Sequence, residues 1–263
     1  MRTYLDDILA AHRAAAAADD RSFEALFEQA RAAGPVRGFR AALERGGAAG
    51  LAVIAEIKRR SPSKGNLSAN LDPAAVAGAY EQGGASCLSV LTDAEFFGGS
   101  VDDLVAARQA CALPVLRKDF TVDGRDICDA RLMGADCVLL IVAALGDDEL
   151  SEFLALARSL GMDALVEIHD ESELERAVAA GADLIGVNQR DLVTFAVDTD
   201  RACRLAPLLP DGVIRVAESG IQGPQDTARL VAAGYHAVLV GEALVTSADP
   251  QSAVRQLVSP FHS

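Results

Sequence analysis

Gly134-Ala135-Asp136-Cys137-Val138-Leu139-Leu140-Ile141-Val142 reads as a helix stop followed at once by a buried strand. A glycine at the end of a helix can take the left-handed cap conformation. The short apolar run after it suits a strand covered on both faces. The same lead-in returns as Gly84-Ala85-Ser86, Gly181-Ala182-Asp183 and Gly234-Tyr235-His236, with glycines 50, 47 and 53 residues apart. Each interval also holds a second run, and one more precedes Gly84, so the chain carries eight: Leu51–Ile57, Cys87–Thr92, Pro114–Lys118, Asp136–Val142, Asp163–Ile168, Asp183–Asn188, Val213–Ala217 and His236–Val240. Helical stretches separate them, and strands alternating with helices imply a parallel sheet. Eight such units predict an α/β protein of the closed (β/α)8 type, the TIM barrel. No G-x-G-x-x-G follows the first run, which argues against an open dinucleotide-binding sheet.

The 263 residues are expected to form one domain, since barrels of about 250 residues commonly do. Residues 1–50 precede the first strand and read as a helical extension packed on the barrel. Leu5, Ile8, Leu9 and His12 share one helical face, Ser22 can cap a second helix running to about Ala33, and Phe39 to Glu44 suits a third. Gly34-Pro35 separates the last two. The polar, acidic Met1 to Asp7 does not resemble a secretory leader, and the longest apolar run, Cys137 to Leu145, is far short of the roughly 20 residues of a membrane helix. A soluble, cytoplasmic protein with no membrane partner is expected.

A net charge of −14 disfavours nucleic acid as a partner. The five cysteines form no C-x-x-C pair, and Cys87 and Cys137 open apolar strands, so they read as core residues. His12, His169, His236 and His262 show no metal-ligand spacing, and no metal is expected. Only Lys58, Lys64 and Lys118 are lysines among 24 basic residues. Where arginine serves almost everywhere, a retained lysine is a candidate for proton chemistry, because its ammonium can change protonation state when buried.

Barrel active sites form at the C-terminal ends of the strands. Charges gather there: Glu56 and Lys58 after Ile54-Ala55, Lys118 after Leu116-Arg117, Glu167 after Leu165-Val166, Asn188 and Arg190 after Gly186-Val187, and Glu218 after Val216-Ala217. Period two puts Glu56 and Lys58 on one face. One such charge could merely reach solvent; five strand ends converging on one rim define a site. Ser219-Gly220 follows the seventh run, and Gly241-Glu242 the eighth. Loops in this register commonly bind phosphate.

These segments resemble the indole-3-glycerol phosphate synthase family. The resemblance rests on Ala55-Glu56-Ile57-Lys58-Arg59-Arg60-Ser61-Pro62-Ser63, Leu116-Arg117-Lys118-Asp119-Phe120, Ile185-Gly186-Val187-Asn188-Gln189-Arg190-Asp191-Leu192 and Ala217-Glu218-Ser219-Gly220-Ile221. Leu88–Thr92, Phe97-Gly98-Gly99-Ser100 and Leu139–Val142 extend it over nearly the whole chain. It implies closure of 1-(2-carboxyphenylamino)-1-deoxyribulose 5-phosphate to a pyrrole ring with loss of carbon dioxide and water. It implies no cofactor, and it implies a monomer.

By position, Lys118 resembles the general acid and Glu167 the acid/base partner of the dehydration. Lys58 resembles a lysine near the substrate carboxylate and phosphate. Glu56 and Asn188 resemble groups orienting the lysine and the ribulose hydroxyls. Arg190 and Glu218 match other site positions. Ser61, Ser219, Gly220, Gly241 and the amide of Glu242 resemble the phosphate cradle, while Phe97, Phe120 and Leu139 resemble the walls around the aromatic ring.

Two positions depart from the family pattern. Gln189 replaces a small or amide residue and is expected to point away from the pocket. Glu242 stands where relatives often carry serine, and its carboxylate is expected to face outward at a helix N-terminus, where the dipole favours it. A phosphoribosylanthranilate-type isomerase barrel is the competing enzyme reading, and a non-catalytic barrel binding a phosphorylated ligand the competing reading of another class.

Overall fold

The computed structural model describes residues 3–61, 65–68 and 71–258. Lys64, with Pro62 and Ser63, lies outside them. Eight parallel strands close into a barrel: β1 (Ala52–Ile57), β2 (Cys87–Leu91), β3 (Val115–Lys118), β4 (Cys137–Ile141), β5 (Asp163–Ile168), β6 (Leu184–Asn188), β7 (Ile214–Glu218) and β8 (Ala237–Val240). Each lies within one residue of the run read from sequence. β1 pairs with both β2 and β8, for example Ala55 with Leu88 and Val53 with Val238, which closes the ring. The four helix-stopping glycines have φ of 93°, 91°, 79° and 88° at Gly84, Gly134, Gly181 and Gly234, as the repeat requires.

Alternation along the strands sorts the apolar residues into two clusters. Val53, Ala55 and Ile57 of β1 and Val138, Leu140 and Val142 in and after β4 face the surrounding helices. Ala52 and Ile54, Cys137 and Leu139, Leu165, Leu184, Ile214 and Val216 fill the barrel interior. Fully burying one Leu or Ile contributes about 1.5–3 kcal/mol, so these layers make a solid plug. Continuing the same period upward, the next inward positions are Glu56, Lys118, Glu167, Asn188 and Glu218. The strands that fill the core therefore deliver the polar site above it.

Three helices precede β1: α1 (Tyr4–Ala18), α2 (Phe23–Ala32) and α3 (Phe39–Ala48). As expected from sequence, Ser22 caps α2, its Oγ accepting from the Ala25 N–H; α3 runs four residues past Glu44. α1 lies on the upper rim, where Arg13 bonds Glu149 and the Ala144 carbonyl. α2 descends beside α6 (Gly124–Met133), with Phe23 close to Gly124. α3 closes the bottom with Phe39 and Leu43 fully buried.

Carboxylates at the strand beginnings stitch this extension down. Asp136, fully buried before β4, accepts from the Arg37 N–H (2.7 Å), the Val115 N–H (2.8 Å) and the Arg108 guanidinium. Asp163 accepts from the Arg40 N–H at 2.8 Å. Removing the Asp136 carboxylate strands a buried N–H and an arginine together. Asp136→Ala is expected to destabilise the fold by about 3–5 kcal/mol, read as a lowered midpoint in urea unfolding.

Candidate active site

Above the plug lies a cavity of about 770 Å³, within the range of small-ligand sites. It is lined by Glu56, Lys58, Ser61, Phe97, Lys118, Phe120, Leu139, Glu167, Asn188, Arg190, Glu218, Ser219, Gly220, Gly241 and Glu242. The sequence-predicted set thus surrounds one space. Gln189 does not line it: the side chain is buried behind the wall and its Nε2 donates to the Ser219 carbonyl at 2.8 Å, as expected, and so steadies the loop after β7.

The centre is an ammonium between two carboxyls. Lys118 Nζ donates to Glu167 Oε2 at 2.9 Å and to Glu218 Oε2 at 2.8 Å. Both glutamates are almost fully buried. Burial alone would strip the lysine proton, but Glu167, Glu218 and Glu56 outweigh it and hold the pKa of Lys118 well above its ordinary value. Two carboxylates so close cannot both ionise freely. Burial pushes Glu218 up; Lys118 pulls it back by charge and hydrogen bond, but burial with the repulsion of Glu167 and Glu56 leaves it raised, to about 7. Burial also acts to raise Glu167, but Lys118, His169 and Asn188 together lower it. The trio therefore holds a fixed ammonium, an ionised Glu167 and a Glu218 displaced toward the neutral acid.

A second pair stands beside it. Lys58 Nζ donates to Glu56 Oε1 at 2.6 Å, and Ser89 Oγ to Glu56 Oε2 at 3.4 Å. Glu56 thus holds a lysine, as expected, while Asn188 Nδ2 donates to Glu167 Oε1 at 3.0 Å and orients that carboxylate. Asn188 is itself set by the Arg190 N–H, which donates to its Oδ1 at 3.0 Å.

Two glycines make room for these groups. A Cβ at Gly186 would run into the Glu218 carboxyl, and one at Gly241 into Glu56 and Lys58. Gly241 thus has a steric duty besides opening the loop after β8. Ser219 and Gly220 have φ of 67° and 74°, so the turn after β7 runs left-handed through a non-glycine residue. Ser61 Oγ is buried beside the cavity and finds no partner among the described residues. Glu242 opens the short helix α11 (Glu242–Val245) at the cavity edge.

Sequence reasoning missed four further polar groups. His169 Nδ1 lies 3.0 Å from Glu173 Oε2, and its Nε2 lies 3.5 Å from Glu167 Oε1. At the rim, His12 of α1 pairs with Asp93 at 2.9 Å, and its ring sits 5.5 Å from that of Phe120. Asp93 also accepts from the N–H groups of Phe96 (2.6 Å) and Phe97 (3.1 Å). Asp119 accepts from Arg117, Thr92 and the Phe120 N–H. His12, Asp93 and Asp119 are near enough for a cation, but protein donors already occupy their oxygens. They form a latch between α1 and the two phenylalanines of the cavity wall.

A closed parallel barrel with acid, base and anion-binding groups on its C-terminal rim defines an enzyme of proton-transfer chemistry on a small phosphorylated substrate. The chain belongs to the indole-3-glycerol phosphate synthase family, whose model matches residues 5–257. An indole-3-glycerol phosphate synthase of Mycolicibacterium vanbaalenii is 53% identical over 259 residues, 98% of this chain and 94% of the relative. One from a Nocardioides species is 58% identical over 210 residues, 80% and 81% of the two chains. Among solved structures, a 3-hexulose-6-phosphate synthase superposes with a TM-score of 0.63 at 16% identity, over 81% of this chain and all of the other, and shares the fold alone.

The latch is pH-sensitive in a stated direction. Burial lowers the pKa of His12, but the bond to Asp93 and the charges of Asp119, Asp93 and Asp126 raise it overall. Its stabilising effect is whole below about pH 6.5, the free-histidine value, and is lost as pH climbs through the raised value. His12→Gln is expected to cost about 1 kcal/mol at pH 6, and the gap to wild type in urea unfolding should narrow as pH rises.

Proposed function

We propose that this chain closes 1-(2-carboxyphenylamino)-1-deoxyribulose 5-phosphate to indole-3-glycerol phosphate, with Lys118 as the acid that opens the reaction. The observation that carries this reading is the buried ammonium clamped by Glu167 and Glu218. Ring closure builds negative charge on a carbonyl oxygen, and a preorganised ammonium in a water-poor site both stabilises and protonates it. The iminium formed on closure accepts the electron pair released with carbon dioxide, so no metal or cofactor is needed. Glu167, oriented by Asn188, serves the dehydration. Glu218 stores a proton beside Lys118 and completes the clamp. An isomerase barrel would need an acid/base pair across the ring, whereas here the lysine and glutamates of β1, β3, β5 and β7 face one point.

The remaining lining groups bind. Lys58, held by Glu56, meets the substrate's carboxylate and phosphate. Ser61, Ser219, Gly220, Gly241 and the N–H of Glu242 cradle the phosphate, and Arg190 lines the cavity after the neighbouring strand β6. Phe97, Phe120 and Leu139 flank the aromatic ring. Residues 1–263 act as one barrel domain with 1–50 as its extension, working as a monomer. Among the described residues no helix is long and apolar enough to cross a membrane. Five free cysteines, four of them buried, suit the reducing cytoplasm.

Incubation with the carboxyphenylamino-deoxyribulose phosphate should yield indole fluorescence, and the absence of product at micromolar enzyme would remove the reading. Lys118→Met should lower turnover at least ~100-fold, the low end for losing a general acid, while inorganic phosphate still binds nearly as in wild type. For Glu242, with its carboxylate turned outward, Glu242→Gln should leave KM within about twofold, since the N–H is kept and repulsion at this site is worth only a few tenths of a kcal/mol. A large fall in KM would place the carboxylate against the phosphate.

A further inference from the structure

The proton balance of the proposed reaction demands an inlet. Ring closure takes one proton, from Lys118 to the carbonyl oxygen. Expelling that oxygen as water takes a second. Only one returns, from the carbon next to nitrogen as the pyrrole becomes aromatic. The departing carboxylate leaves its bonding electrons behind and carries no proton away. Each turnover therefore draws one proton from water into a site whose working groups are buried. The substrate of the proposed reaction would sit between these groups and the cavity mouth, so a route from another side serves the deficit.

We infer that His169, anchored by Glu173, is that inlet: a positioning and relay residue that returns a proton to Glu167 from the end of β5. The inference rests on the reading of Glu167 as the dehydration acid. His169 follows Glu167 by two residues, and its backbone N–H and its Nδ1 both meet Glu173 Oε2, at 2.7 and 3.0 Å. Glu173 belongs to α8 (Glu171–Ala179). A carboxylate there fixes the tautomer, since Nδ1 must carry the hydrogen to donate. Nε2 is then left facing Glu167 Oε1 at 3.5 Å, with no hydrogen bond among the described residues. A small side-chain movement closes that gap to a hydrogen bond. The side chains of His169 and Glu173 remain 12% and 15% exposed, against 2% for Glu167, so the path runs from water inward.

In the step, the Nε2–H bond of the imidazolium breaks and Glu167 Oε1–H forms. Imidazole is left neutral with its Nδ1–H on Glu173, and Nε2 then takes a proton from water. Glu167 in turn lies 2.9 Å from Lys118 Nζ and can restore it. The charged groups facing His169 are Glu167 on β5, Glu173 on α8 and Arg201 on α9 (Arg201–Leu205). Burial lowers the imidazole pKa and so does Arg201, but the two glutamates raise it overall, which favours the protonated ring.

The test compares His169→Gln, Glu173→Gln and Glu167→Gln in the full chain with the carboxyphenylamino-deoxyribulose phosphate as substrate. His169→Gln should lower kcat ~10- to 100-fold, at or below the low end for a proton-transfer residue, with KM changed less than about twofold. Added imidazole should restore turnover, and the solvent deuterium effect on kcat should grow. Glu173→Gln keeps the imidazole but removes a group that raises its pKa, so the alkaline fall of kcat should move to lower pH. An unmoved alkaline limb in Glu173→Gln, or a loss in His169→Gln that imidazole does not relieve, overturns the inlet. If Glu167→Gln is inactive while His169→Gln matches wild type, the inlet alone fails; if Glu167→Gln matches wild type, the reading of Glu167 fails and takes the inlet with it.

Discussion

Lys118 holds its ammonium between Glu167 and Glu218, 2.9 and 2.8 Å away. Three buried ionisable groups at one point are tolerable only if their number and spacing are fixed, because removing any one leaves the others uncompensated. That demand reaches outward. Asn188 must orient Glu167, Gly186 must leave space for Glu218, and the layers beneath must not shift, since each strand carries its charged residue two positions above an apolar one. The barrel is the frame that makes an otherwise unfavourable charge cluster affordable.

The same constraint explains the division of labour around the ring. Strands β3, β5 and β7 contribute the trio, and β1 leads into the Glu56–Lys58 pair, which lies against Gly241 after β8. Alternate strands share a layer in such barrels, so odd-numbered strands supplying the charges is a consequence of closure and register. Between them β6 supplies two neutral residues, Gly186 and Asn188, which separate and orient the carboxyls without adding charge.

The barrel was legible because its signal is periodic and local. A helix-stopping glycine and a β-branched run mark every second strand, and each run matches its strand to within a residue. The rim was legible because charges are rare in strands buried on both faces, so Glu56, Lys118, Glu167 and Glu218 stand out. What stayed hidden depends on distant partners. His12 and Asp93 are 81 positions apart, and nothing local marks either. Gly186 reads as one more small strand residue until Glu218 is seen to occupy the space above it. His169 did leave a trace, since it shares the parity of Glu167, but that trace shows only when histidines are placed in strand register; a scan for metal spacing passes over it. The bond from Asn188 to Glu167 was not legible either, because sequence gives the layer of a side chain and not its neighbour.

The first fifty residues touch the barrel at both ends. Arg37 and Arg40 are tied to Asp136 and Asp163 below, and His12 is tied to Asp93 above, in direct line with the backbone of Phe97. Phe97 and Phe120, which face each other in the cavity wall, thus share their support with α1. Adhesion of the N-terminal helix and the shape of that wall become one linked equilibrium: loosening α1 frees Asp93 and, with it, the backbone that carries Phe97. The N-terminal helices act as a strap buckled at both ends of the barrel.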